Sequence, residues 1–211
     1  MNSLKYIDRN QNGLLIVISG PSGAGKGTVC KALLNNMGNI RISTSITTRK
    51  PRTGEIEGIN YYFADEEKFK RMVKNDELLE YAKVYDNYYG TPKKRVMELL
   101  NKGIDVILEI DIQGALKVKS KFPEGVFIFI LPPSMEELKK RINKRGTETE
   151  EEVAKRFSAS YEEINNISKY NYVVINDEID KAVEKVKSII IAEKCRVDRL
   201  KDGLQKIIGG N

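Results

Sequence analysis

The residues best suited to chemistry stand near the amino end, in Gly20-Pro21-Ser22-Gly23-Ala24-Gly25-Lys26-Gly27-Thr28. Gly20, Gly23 and Gly25 allow a concave turn whose backbone N–H groups converge. A following helix adds the positive end of its dipole, and Lys26 supplies a mobile ammonium. Such a stretch holds the phosphates of a nucleoside triphosphate. The strict motif has Ser or Thr directly after the lysine, whereas here Gly27 takes that place and Thr28 follows. Either Thr28 offers the metal-facing hydroxyl, directly or through water, or magnesium is held largely through water and phosphate oxygens.

Other groups fall in suggestive places. Arg49 and Arg52 sit three apart beside Pro51 and Gly54, in a segment with no amphipathic pattern to hold them. Two guanidinium forks and a tyrosine hydroxyl suit a phosphate dianion. Glu80 follows Leu78-Leu79, where an apolar face meets a polar pocket. Glu109 and Asp111 are two apart, so on an extended strand they share a face. There they can orient hydrated magnesium, anchor Lys26 or Arg49, or touch a base and its phosphate. Arg141 and Arg145 are four apart on one helix, with Arg156 on the next helix beyond Gly146. Arginines on such a movable pair would neutralise charge spread over transferring phosphoryl oxygens, while the bland reading of Arg141 is ordinary surface charge.

These groups need elements to place them. The run Leu14-Leu-Ile-Val-Ile18 reads as a buried strand feeding the glycine turn, and Val29-Cys-Lys-Ala-Leu-Leu34 has helical spacing. Ile40 to Ile46 alternates as a strand would, Tyr61-Tyr-Phe63 and Leu78 to Ala82 suggest extended pieces, and Asp65 suits a helix cap. Thr91-Pro92 reads as a helix start with Thr at the cap, leading to Gly103. Val106 to Ile110 and Val126 to Leu131 read as buried strands, with a short helix after Gly114. Ser134 with Glu137 and Thr149 with Glu152 form capping boxes. A helix is expected from 150 to 166, a strand from Tyr172 to Ile175 and a final helix opening at Asp180. Strands and helices alternating at these intervals imply a parallel sheet covered on both faces, with ligands at the carboxyl ends of its strands.

Composition bounds the class. The 211 residues fit one α/β domain with small inserts. There is no histidine, which excludes imidazole-bound zinc and His-based acid–base or triad chemistry within the chain. Cys30 and Cys195 form neither a disulfide framework nor a metal pattern. The 36 Lys+Arg against 30 Asp+Glu give +6, interspersed with acids, which suits small anions and does not call for nucleic acid. With no long apolar run or secretory leader, a cytoplasmic protein without membrane contact is expected.

Gly20 to Lys26, Thr47-Thr-Arg-Lys-Pro-Arg-Thr-Gly-Glu55, Asn87-Tyr-Tyr-Gly90, Glu109-Ile-Asp-Ile-Gln-Gly114 and Arg145-Gly-Thr-Glu-Thr-Glu150 occur in an order that resembles the guanylate kinases, across roughly residues 13–193. The resemblance implies a three-layer P-loop fold over residues 1–211. Residues 10–40, 92–138 and 168–195 would form its core, 41–91 a small GMP-binding lobe, 139–167 a helical lid and 196–211 a tail. It implies phosphorylation of GMP, and of dGMP, by ATP with Mg2+, by a monomer or homodimer. Arg49, Arg52, Tyr61 and Tyr89 would hold the GMP phosphate, with Glu55 in the same motif. Ser45 and Thr91 would donate to the O6/N7 side of the base. Arg145 and Arg156 would face the ATP phosphates and Asn176 the adenine or its loop. The family usually has Asp where Glu109 stands.

Chemistry supports the guanine assignment independently. Guanine shows adjacent N1–H and N2–H2 donors that one carboxylate, Glu80, can accept, whereas adenine shows a lone pair at N1 and no 2-amino group. A phosphate monoester has its second pKa at about 6, so the acceptor is already mostly anionic and needs no general base. Two rivals stand beside this reading: a nucleoside-monophosphate kinase of other base preference, since Gly-Lys-Gly-Thr also resembles adenylate kinase, and a guanylate-kinase-like domain that binds phosphopeptide without catalysis.

Overall fold

A computed structural model describes residues 12–84, 86–143 and 150–200. Strand β1 (Leu15–Ser19) is buried along its whole length and leads through the glycine turn into α1 (Lys26–Asn36). Next come β2 (Ile40–Ile42), β3 (Ile46–Thr47), β4 (Tyr62–Phe63), α2 (Glu66–Lys74), β5 (Leu78–Val84), β6 (Asn87–Pro92) and α3 (Lys93–Asn101). The chain continues with β7 (Asp105–Glu109), α4 (Ile112–Lys121), β8 (Val126–Leu131), α5 (Met135–Asn143), α6 (Glu150–Ile164), β9 (Tyr172–Ile175) and α7 (Ile179–Lys194).

The main sheet has the order β2-β7-β1-β8-β9, and every pairing in it is parallel. Continuous apolar runs such as Val126 to Ile130 suit it because both faces are covered. One face packs Ile16, Ile18, Ile128 and Ile130 against Val29, Cys30 and Leu33 of α1 and Val183, Val186 and Ile190 of α7. The other packs Val17, Leu108 and Phe127 against Val96, Leu99 and Leu100 of α3 and Ala115 and Val118 of α4. These are the three layers expected of the fold.

The stretch Ile40 to Ile46 is two strands in two sheets, not one. Ile40 belongs to the main core, while Ile46 joins Phe69 and Leu78 in a separate small core. Between them the chain crosses from β7 to the second sheet, ordered β4-β3-β6-β5. Alternation alone could not show that the two isoleucines serve different cores.

Several helix starts also differ from the expected ones. α4 opens earlier, because Asp111 caps it by accepting the Gly114 N–H at 2.9 Å. α3 begins after Pro92, and its preceding threonine does not cap it. α7 begins after Glu178, with Asp180 in its first turn. Ser134 does cap α5, accepting from the Glu137 N–H at 3.1 Å. Thr149 lies outside the described residues, and so does Arg145.

Candidate active site

The carboxyl ends of β1 and β7 meet at the glycine turn. Gly20, Gly23 and Gly25 all have φ in the left-handed range, at 147°, 93° and 90°. The first and last are also forced by close approach. A Cβ on Gly20 would lie 2.1 Å from the Ile130 carbonyl oxygen, and one on Gly25 would lie 2.3 Å from Asn176 Nδ2. Asn176 is buried and donates Nδ2–H to the Ala24 carbonyl at 2.8 Å, so the structure places it as a brace beneath the turn. Gly23 lies against Leu138 and Ile142 of α5. Lys26 Nζ donates to the carbonyls of Gly20 at 2.6 Å and Pro21 at 3.1 Å, across the mouth of the turn. Thr28 is exposed on α1, with its N–H donated to the Gly25 carbonyl.

A cleft of about 250 Å³ joins this turn to the second sheet. Gly20, Ser22 and Lys26 line one side, Ser45, Tyr61, Glu80 and Tyr89 the other, with Glu109, Asp111 and Glu163 between. The sequence separates these groups by well over a hundred residues, and the chain's crossing between sheets brings them together.

Glu80 is held by unusual local geometry. The β5–β6 register shifts between Leu78 and Glu80, and such a bulge re-aims the side chains around it. Leu78 thereby enters the small core, Leu79 the main core, and Glu80 the cleft. Glu80 is 4% exposed as a residue, and its carboxylate accepts from the Thr91 hydroxyl at 2.7 Å. The Thr91 side chain, expected at a helix cap, is committed to this carboxylate. Burial raises the Glu80 pKa to about 7, the Thr91 hydrogen bond and Lys117 and Lys121 opposing it while Asp111 adds to it.

Arg49 is half-buried and donates Nη2–H to both Glu55 oxygens, at 2.8 and 3.0 Å. Its guanidinium lies 5.4 Å from the centre of the Tyr61 ring. The Arg52 backbone N–H also reaches Glu55, at 2.8 Å. Glu55 therefore braces both arginines, and the Arg49 guanidinium holds its carboxyl below the usual range. Tyr61 packs edge-on to Tyr89. Arg52 is exposed and, like Arg49, Glu55, Thr91, Thr28 and Asn176, does not line the cleft.

On the far side, Arg156 of α6 donates Nη2–H to the Ser22 hydroxyl. Arg141 pairs with Glu137 at 2.8 Å and reaches the Asn176 carbonyl at 3.2 Å. Glu163, not singled out from the sequence, reaches the cleft from α6. One of its oxygens is buried without a hydrogen-bond partner, and burial raises its pKa while Lys26 opposes the shift. Its signal was spacing, since seven residues after Arg156 is two turns along the same helix face. Cys30 is wholly buried and its thiol is pushed well up by desolvation, so it is an inert packing group.

Guanylate kinase is the family whose model matches the chain, over residues 12–193. The chain belongs to the guanylate kinase family. It is similar to a guanylate kinase of Caldanaerobacter subterraneus subsp. tengcongensis, 68% identical over 197 residues covering 93% of this chain and 96% of that protein. A guanylate kinase of Clostridium perfringens is 62% identical over 201 residues, covering 95% and 93%. The crystal structure of guanylate kinase from Anaplasma phagocytophilum superposes with a TM-score of 0.79 at 36% identity, covering 94% and 97%. The fold is accordingly the P-loop α/β fold of the family, and the chain is a nucleotide-binding transferase with guanylate kinase-type phosphotransferase activity. No helix among the described residues is long and apolar enough to cross a membrane.

Proposed function

We propose that this chain transfers the γ-phosphoryl group of ATP to the phosphate of GMP, and of dGMP, releasing ADP and GDP or dGDP. The observation that carries the reading is the single cleft shared by Lys26 and Ser22 with Glu80, Ser45, Tyr61 and Tyr89. A buried acceptor carboxylate beside hydroxyls suits the guanine edge, and the phosphate turn stands across the same space.

In this reading residues 41–91 form the acceptor lobe and 139–167 the lid. Glu80 accepts from guanine N1–H and N2–H2 and Ser45 attends the O6/N7 side, while Thr91, whose one hydroxyl proton goes to Glu80, holds that carboxylate in place instead of reaching the base. Arg49 and Arg52, braced by Glu55, hold the acceptor phosphate with Tyr61 and Tyr89. The amides of Gly20 to Thr28 and Lys26 bind the donor phosphates, with Asn176 fixing the turn near the adenine. Arg156, with Arg145 outside the described residues, neutralises charge developing on the transferring group. Neither the base nor the phosphate contacts involve the ribose 2′-hydroxyl, which is why dGMP is included.

The residues fit Mg2+. Glu109 lies against Gly27 at the start of α1, and Asp111 and the Thr28 hydroxyl are further hard oxygen donors nearby in the chain. No group of three metal-binding acids or thiols occurs among the described residues, as befits an ion held mainly by phosphate oxygens and water with one or two carboxylates. When bound, Mg2+ would supply charge neutralisation on the donor phosphates.

The chain itself brings two anions into line, excludes water and stabilises spreading charge. No general base is required, because the acceptor oxygen is already anionic at neutral pH. Coupled ADP-formation assays with GMP, dGMP, AMP, CMP and UMP test the proposal. Preference for GMP and dGMP supports it, and preference for AMP, or no acceptor-dependent turnover, overturns it.

A further inference from the structure

Helix α4 presents Gly114, Lys117 and Lys121 to strand β5. The three are spaced i, i+3 and i+7, which places them on one helix face. Each meets β5 around Glu80. Lys117 Nζ donates to the Tyr81 carbonyl at 2.5 Å, Lys121 Nζ to the Leu79 carbonyl at 3.0 Å, and Lys117 also lies 4.9 Å from the centre of the Tyr81 ring. The two lysines thus grip the backbone on either side of Glu80. Gly114 stands directly beneath the carboxylate.

The backbone does not ask for glycine at position 114. Gly114 lies in the first turn of α4 without a left-handed φ, where alanine has the higher helix propensity. Its N–H bond to Asp111 would survive in any residue but proline. What a side chain would meet is Glu80: an added Cβ falls 2.5 Å from Oε2 and 3.1 Å from the carboxyl carbon. The next contact, Ile110 Cδ1 at 3.5 Å, is ordinary packing. The other carboxylate oxygen is fixed by Thr91 at 2.7 Å, so the group cannot retreat from a methyl group without losing that bond or turning its lone pairs.

We propose that the Gly114–Lys117–Lys121 face of α4 is the seat that aims Glu80 at the acceptor base, with Gly114 as the positioning residue that determines its place. The seat belongs to the main core and Glu80 to the second sheet, so the same contact fixes the lobe against the core. The inference rests on Glu80 reading the base, as proposed above.

Steady-state kinetics and thermal unfolding of Gly114→Ala test it, beside Glu80→Gln and the double variant Lys117→Met/Lys121→Met. Gly114→Ala should raise KM for GMP about tenfold or more, on the scale of one lost bidentate base contact. KM for ATP should stay within about twofold, and the unfolding midpoint should fall, because loss of the buried Thr91–Glu80 bond outweighs alanine's helix preference. The double variant should raise KM for GMP and move the acid limb of kcat/KM for GMP to higher pH, since two cations near Glu80 are gone. A wild-type GMP KM in Gly114→Ala overturns the seat. If that variant fails to fold, an unchanged GMP KM and acid limb in the double variant overturn it instead. Loss of GMP use in Glu80→Gln alone would leave base reading intact and discard the seat, whereas no effect of Glu80→Gln would discard both.

Discussion

Glu109 Oε1 lies 3.3 Å from the position a Cβ would take on Gly27, so the glycine that departs from the strict phosphate-loop motif is in contact with the glutamate that departs from the expected Asp. The acid lies close to where a serine or threonine side chain after Lys26 would begin, so one of the two would have to give by a few tenths of an ångström. Gly27→Ser alone should therefore lower kcat/KM for ATP, Glu109→Asp alone should open a gap beside α1, and the pair together should recover activity. A coupling of about 1 kcal/mol in a double-mutant cycle is expected for residues in contact. Strict additivity would show the two departures to be independent.

Base recognition should titrate with Glu80. Its folded-state pKa of about 7 exceeds the ordinary carboxylate value, so the native protein binds more protons than the unfolded chain between the two. Stability without ligand should thus decline as pH rises through this window, by at most about 3 kcal/mol for Glu80 alone. GMP needs the ionised form, so kcat/KM for GMP should fall as pH drops below about 7, ahead of the GMP phosphate's own titration at about 6. A profile flat down to pH 6, or one identical in Glu80→Gln, would contradict this.

The arginine pair should separate geometry from charge. Arg49→Lys keeps the charge but loses the fork held on Glu55, and should raise KM for GMP about tenfold with a smaller change in kcat. Arg52→Ala should weaken GMP use while sparing KM for ATP. Unchanged KM and kcat in Arg52→Ala would remove it from the acceptor clamp.

A buried acid holds the opposite end of the sheet. Asp105 is 1% exposed and accepts the Leu14 N–H at 2.9 Å. Its other oxygen faces Lys194 at 2.6 Å, an ion pair that falls short of hydrogen-bond geometry. Asp105→Ala leaves the Leu14 N–H without a partner and should cost about 2–4 kcal/mol in denaturant unfolding. A loss below about 0.5 kcal/mol, the scale of a surface change, would show that water replaces it.

The order of strands and helices was readable because each carries its own period and each turn its own residues. The glycine turn was readable from Gly20 to Gly25 because left-handed φ and close approach leave few alternatives to glycine. What the sequence hid depends on contacts between distant segments. The division of Ile40 and Ile46 between two cores, and the commitment of Thr91 to Glu80, are of this kind. Gly114 reads only as preceding a short helix, and its contact with Glu80 of β5 needed the fold; Glu163 is not singled out, because its place in the cleft depends on how α6 packs. Asp111 was noticed as a carboxylate, but its capping of α4 needed the helix start to be known.

The most direct measurement is a crystal structure with GMP and a non-hydrolysable ATP analogue bound. Glu80 should accept from guanine N1–H and N2–H2 at hydrogen-bond distance, with the GMP phosphate held by Arg49 and Arg52 and in line with the analogue's γ-phosphate beside Lys26. A base turned away from Glu80, or an acceptor phosphate outside the cleft shared with Lys26, would contradict the proposed reaction.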